Sequence, residues 1–116
     1  MVFPEIKSMV CIDLELEEGG VPPDPERCSY AFEVEIGTKG GEGADIFSFV
    51  VITLQELLTD TNPRWGRSLL IVEFFSWPLI EKKLNALLSQ CSGKDWIEVA
   101  AKLNRYLAWE YDNYQK

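Results

Sequence analysis

The chain has 116 residues, with 19 acidic against 11 basic side chains, no histidine and a formal charge of -8. At 47% hydrophobic and 26% charged it falls within the range of a globular domain, and its length allows one core and one domain over residues 1–116. Residues 1–45 carry the whole acidic excess while 46–116 sum to zero. That imbalance argues against nucleic-acid binding, which needs Lys and Arg to displace counterions, and against docking on anionic lipid.

No window approaches the uncharged apolar length of a membrane span, and Met1-Val-Phe-Pro-Glu-Ile-Lys7 lacks the basic and apolar regions of a signal peptide. A cytoplasmic protein is the expectation. From Met9 to Glu17 the chain alternates, which predicts a half-buried strand with Val10, Ile12, Leu14 and Leu16 inward and Asp13, Glu15 and Glu17 outward. Glu18–Glu26, with three prolines and two glycines, reads as a loop. Tyr30–Ile36 alternates again, placing Tyr30, Phe32, Val34 and Ile36 inward and Glu33 and Glu35 outward. Gly37–Gly43 reads as a flexible hairpin tip, and Ile46–Ile52 as a third strand paired with the second.

Thr53-Leu-Gln-Glu56 has the form of a capping box and opens a short helix through Thr59. Leu69–Phe75, apolar except for Glu73, predicts a strand buried on most of both faces. Trp77-Pro78 starts a helix whose apolar stripe is Ile80, Leu84, Leu87, Leu88 and Cys91, and Gly93 ends it. A last helix from Asp95 places Trp96, Ala100, Leu103 and Leu107 on one stripe and continues towards Trp109 and Tyr114.

Strands first and helices last predict an α+β fold: an antiparallel sheet of about four strands with the C-terminal helices packed on one face. The outward residues Asp13, Glu15, Glu17, Glu33 and Glu35 then form an acidic field on the open face, suited to a basic protein surface. A solvated face that only keeps the chain soluble has the same composition.

Little catalytic chemistry is available. Without histidine the commonest general base is missing, and Cys11, Cys28 and Cys91 have neither metal-ligand spacing nor an activating neighbour. No catalytic residue, metal site or cofactor is expected. The glycine loop lacks the Gly-Lys-Ser/Thr of a phosphate cradle and leads into a strand instead of a helix. Trp65, beside Gly66 and Arg67, reads equally as a packing residue or, with Arg67, as an interface anchor.

Four segments together resemble the immunity protein 8 family of bacterial polymorphic toxin systems. They are Tyr30–Gly43 with its Ile-Gly-Thr-Lys-Gly turn, Phe47–Leu58, Gly66–Phe74, and Trp96–Tyr114 with its closing Trp-Glu-Tyr-Asp-Asn-Tyr. The resemblance implies an α+β protein that binds the C-terminal domain of a cognate secreted toxin and neutralises it stoichiometrically, without catalysis. Gly37, Lys39, Gly40, Gly43, Gly66, Arg67, Trp96, Trp109, Glu110 and Tyr114 match its signature, and most read physically as turn or core residues. Residues 1–29 match the family only loosely, as a strand and a Pro-rich loop, so the acidic region belongs mainly to this sequence. Charge alone suggests a basic nuclease as the toxin. An acidic adaptor or assembly subunit unrelated to toxins is the alternative, and the oligomeric state is open.

Overall fold

The computed structural model describes residues 1–13, 21–59, 63 and 66–112. In chain order its elements are β1 (Pro4–Cys11), β2 (Ser29–Thr38), β3 (Asp45–Thr53), α1 (Leu54–Thr59), β4 (Leu69–Val72), α2 (Trp77–Leu88), α3 (Trp96–Leu103) and β5 (Ala108–Trp109). The strands form one sheet in the order β1-β2-β3-β4, and β5 also pairs with β3. Strands β1, β2 and β3 are antiparallel neighbours, as the sequence predicts. β4 runs parallel to β3, because the chain leaves β3 through α1 and returns in the same direction. β4 and β5 share one edge of β3, β4 against Val50–Thr53 and β5 against Phe47 and Ser48.

One face of the sheet carries the core. Alternate residues of β2 (Phe32, Val34, Ile36) and β3 (Phe47, Phe49, Val51) point to that face, where all six are buried. Against them pack Ile80, Leu84 and Leu88 of α2 and Val99, Ala100 and Leu103 of α3, all buried in the same cluster. Phe32 lies at its aromatic centre, stacked on Phe49 at 5.3 Å and edge-on to Trp77 at 5.3 Å. The helices are set by their caps: Ser76 Oγ accepts from Leu79 N, and an Asp95 carboxylate oxygen accepts from Glu98 N at 2.8 Å. At α1, Thr53 Oγ1 accepts from Glu56 N. Thr53 N donates to Cys28 O instead of to Glu56, so the predicted capping box is formed in one direction only.

The first strand departs from the alternation of the sequence. β1 begins at Pro4 and ends at Cys11, and its register carries a bulge between Ile6 and Ser8 that leaves Lys7 as the extra residue. Ile6, Met9 and Cys11 therefore lie on the core side, opposite Ile36, Val34 and Phe32. Val10 and Ile12, expected inward, are instead 51% and 46% exposed. Leu14, Glu15, Leu16 and Glu17 lie outside the described residues.

Two further expectations are corrected. Leu69–Phe75 is not a strand buried on both faces: only Leu69–Val72 is strand, β4 lies at a sheet edge, and Ile71 and Phe74 are exposed. The last helix stops at Asn104 instead of continuing to Trp109. Asn104 Oδ1 accepts the backbone N–H of Trp109, which turns the chain so that Ala108–Trp109 pairs with β3. Leu107 is buried as expected, from the turn and not from a helix. Cys91 is a core residue, and Trp96 packs against the core.

Candidate protein-interaction surface

Every helix residue in the core cluster faces one side of the sheet, which leaves the other side as the candidate surface. Strand register gives its layout. Glu35 of β2 lies between Ser8 of β1 and Ile46 of β3, and Glu33 lies between Val10 and Ser48. One row further, Ala31 faces Val50, and Ile12 N donates to Ala31 O, continuing the β1 side of the ladder. Ile71 of β4 pairs with Ile52 and is 51% exposed, whereas Ile52 itself is 1% exposed, so this side of the sheet is covered at Ile52 and Ile71 is exposed beyond that point. The face thus mixes the two kinds of side chain, with Val10 and Ile46 in the rows of Glu33 and Glu35, and carries aliphatic residues without carboxylates beyond them.

Glu33 and Glu35 are exposed where the alternation predicts, and no ion pair to either occurs among the described residues. Other acids of the N-terminal region are engaged within the fold. Asp13 is exposed in the turn past the end of β1, not on a strand, and its Oδ2 accepts from Ala31 N at 2.7 Å. It satisfies a β2 N–H at the point where β1 stops pairing. Asp45 accepts from two tryptophan indoles. Glu5 is paired with Lys7 at 2.9 Å, and that hydrogen bond, followed by one from Gly40 N, holds its carboxyl below the usual value.

The glycine loop belongs to this internal network. Lys7 Nζ donates to Gly41 O at 2.8 Å and Lys39 N donates to Phe3 O at 2.8 Å, which tie the hairpin tip to the start of β1. A Cβ on Gly37 would lie 2.0 Å from Gly43 O, and Gly40 has φ +81, so two of the signature glycines are demanded by backbone geometry.

Arg67 is also occupied. Its guanidinium donates to Asn104 O at 2.9 Å, to Asn104 Oδ1 at 2.7 Å and to Asp112 at 3.3 Å, closing the segment before β4 onto the end of α3. Half of its side chain remains exposed. Trp65, Glu15 and Glu17 lie outside the described residues. The structure thus brings Glu33 and Glu35 together on the open face and places Asp13 and Arg67 in local hydrogen-bond networks.

Sequence reasoning missed Val10 and Ile12 as surface residues, having assigned them to the core, and did not single out Ile46 or Ile71. Aliphatic residues on an uncovered sheet face give no pattern distinct from core residues; only tertiary burial separates them.

Among the described residues no stronger chemical site is present. Among the described residues no group of three or more Cys, Asp or Glu is placed to hold a metal ion. The three cysteines are buried thiols. Burial pushes Cys28 and Cys91 above the usual thiol value, which disfavours the reactive thiolate. A groove of about 240 Å³ beside β4 is lined mainly by apolar residues such as Leu70, Leu84, Leu87 and Tyr106, with Lys83 at its rim. Among the described residues no helix is long and apolar enough to cross a membrane.

Comparison with known proteins gives one match. The family described as Immunity protein 8 matches residues 4–114, nearly the whole chain. Neither the comparison with curated proteins nor that with solved structures returned a match. The matched span includes the tied glycine turn, the Arg67 clasp and both indoles on Asp45, so the signature residues Gly37, Gly40, Arg67, Trp96 and Trp109 are framework residues. The chain belongs to the Immunity protein 8 family, and so to the immunity proteins of toxin systems.

Proposed function

We propose that this chain is an immunity protein that binds the C-terminal domain of a cognate secreted toxin in the cytoplasm and neutralises it stoichiometrically, without catalysis. The observation that carries this reading is the sheet face away from the helices, where Glu33 and Glu35 stand exposed with no ion-pair partner among the described residues. Buried thiols and a chain without histidine fit inhibition by contact better than inhibition by chemistry.

The contact residues proposed are Glu33 and Glu35, with Asp13, Glu15 and Glu17 extending the acidic field, and Trp65 with the exposed half of Arg67 as a second contact. The partner is a basic toxin domain, of which a nuclease is the simplest kind, because an enzyme that binds phosphate carries Lys and Arg. Opposite charge on the two proteins speeds their encounter. Immunity demands discrimination between toxins, and exposed side chains that hold no part of the fold are free to supply it.

Co-expression with the toxin domain encoded beside this gene tests the proposal. Growth rescue together with co-purification is the expected result. Rescue with no complex contradicts the stoichiometric mechanism.

A further inference from the structure

The acidic residues account for only half of the open sheet face. Val10 at 51%, Ile12 at 46%, Ile46 at 37% and Ile71 at 51% are exposed on the same side. Val10 is the direct cross-strand neighbour of Glu33, and Ile46 that of Glu35. Each carboxylate therefore stands beside an aliphatic side chain, one strand spacing of about 4.8 Å away. A face that served only solubility has no use for these four. Exposed aliphatic residues gathered on one sheet face are the mark of a surface that is covered in use.

Resting on the proposed toxin-binding function, we infer that the open face of β1-β2-β3-β4 is the docking surface, and that it fits a partner patch of Lys or Arg side chains set among apolar residues. The carboxylates Glu33 and Glu35 hold the cationic groups. Val10, Ile12, Ile46 and Ile71 form the part that excludes water around those pairs, where a charged hydrogen bond gains strength. A long Lys or Arg suits this layout, because its methylene stem packs on Val10 or Ile46 while its charged end reaches the neighbouring carboxylate.

Charge selects the occupant. A second copy of this chain laid face to face brings four glutamates together, and among the described residues Lys7, the cation that β1 carries, is already paired with Glu5, which disfavours self-association. Nucleic acid and anionic lipid are repelled by the same carboxylates. A basic protein surface is the complement that remains.

The two halves of the face do different work, which makes the inference testable by kinetics. Charged rims govern mainly association, while desolvated apolar contacts govern mainly dissociation. Surface plasmon resonance of the full chain against a catalytically inactivated form of the toxin domain encoded beside its gene separates them. The double variant Glu33→Lys with Glu35→Lys is expected to slow association about tenfold or more at low salt and to flatten its salt dependence. The double variant Val10→Ser with Ile71→Ser is expected to speed dissociation about tenfold, with association within about twofold of the parent. Leu79→Ser and Ile97→Ser, exposed on the helical side, are the controls and leave both rates unchanged. Circular dichroism confirms that each variant is folded. If both face variants bind within about threefold of the parent while the parent binds tightly, the docking face is wrong and the toxin-binding function stands. If the parent itself fails to bind, both fall.

Discussion

Trp96 and Trp109 donate their indole N–H groups to the same atom, Asp45 Oδ2, at 2.7 and 3.0 Å. One carboxylate at the start of β3 thereby fastens the first turn of α3 and the short strand β5, which the sequence separates from it by 51 and 64 positions. Glu110 reinforces the closure, its carboxylate accepting from Ile46 N while its own N–H donates to Ile46 O.

Removing that shared acceptor tests the clasp. Asp45→Ala leaves two half-buried indole donors unpaired, and a loss of about 2–3 kcal/mol follows from the cost of breaking charged hydrogen bonds. Asp45→Asn keeps an acceptor oxygen and loses roughly half as much. Urea denaturation followed by tryptophan fluorescence reads both. A change below about 0.5 kcal/mol for Asp45→Ala shows that the clasp does not stabilise the fold.

The glycine turn gives a sharper contrast. Gly37→Ala places a Cβ against the Gly43 carbonyl at 2.0 Å, a contact that only a backbone shift relieves, whereas a Cβ on Gly43 meets nothing within 4 Å. Gly37→Ala is expected to lower stability by about 3 kcal/mol or more and Gly43→Ala by less than about 1 kcal/mol. Thermal denaturation of the two variants side by side checks the order. Equal melting temperatures contradict the close approach of the two backbone segments.

The buried thiols predict a pH dependence. Desolvation raises the Cys28 and Cys91 thiols above their ordinary value of 9.0 and the Tyr30 hydroxyl above 10.0. For groups raised on folding, stability is fully present below the unfolded value and declines as pH climbs from there towards the folded value. Stability from these groups is therefore flat through neutrality and falls above about pH 9. Replacing Cys28 and Cys91 by Ala reduces the alkaline slope of stability measured in urea. An unchanged slope places the dependence elsewhere. The same burial predicts that a thiol reagent reacts with the folded chain only as it unfolds.

Much of the fold is legible in the sequence where local and tertiary forces agree. β2 alternates cleanly from Phe32 to Ile36 because one side meets helices and the other meets solvent, so Phe32, Val34, Ile36 and Glu33 and Glu35 all fall where the pattern puts them, whereas β3 loses the alternation at its end, where Val51, Ile52 and Thr53 are all buried. The stripe of α2 reads correctly for Ile80, Leu84 and Leu88, while the helix ends at Leu88 and not at Gly93, so Cys91 reaches the core from beyond it. β1 misleads because its exposed Val10 and Ile12 imitate core residues, and because the Lys7 bulge resets the parity between Ile6 and Met9. The sequence predicts a helix continuing towards Trp109 because nothing local to it announces a strand. Its position depends on the Asn104 side chain and on the edge of β3, both tertiary. The acidic residues of the face are legible as outward, but their aliphatic neighbours are not, since an exposed isoleucine and a core isoleucine look alike in one sequence.

Titrating the activity of the cognate toxin with increasing amounts of this chain, at toxin concentrations far above the dissociation constant, tests the central claim most directly. Stoichiometric neutralisation predicts that activity falls in a straight line and reaches its floor at a fixed whole-number ratio, with the two proteins co-eluting as one complex. Continued loss of toxin activity over time at a small fraction of that ratio, with no complex formed, contradicts it and points to catalytic inactivation.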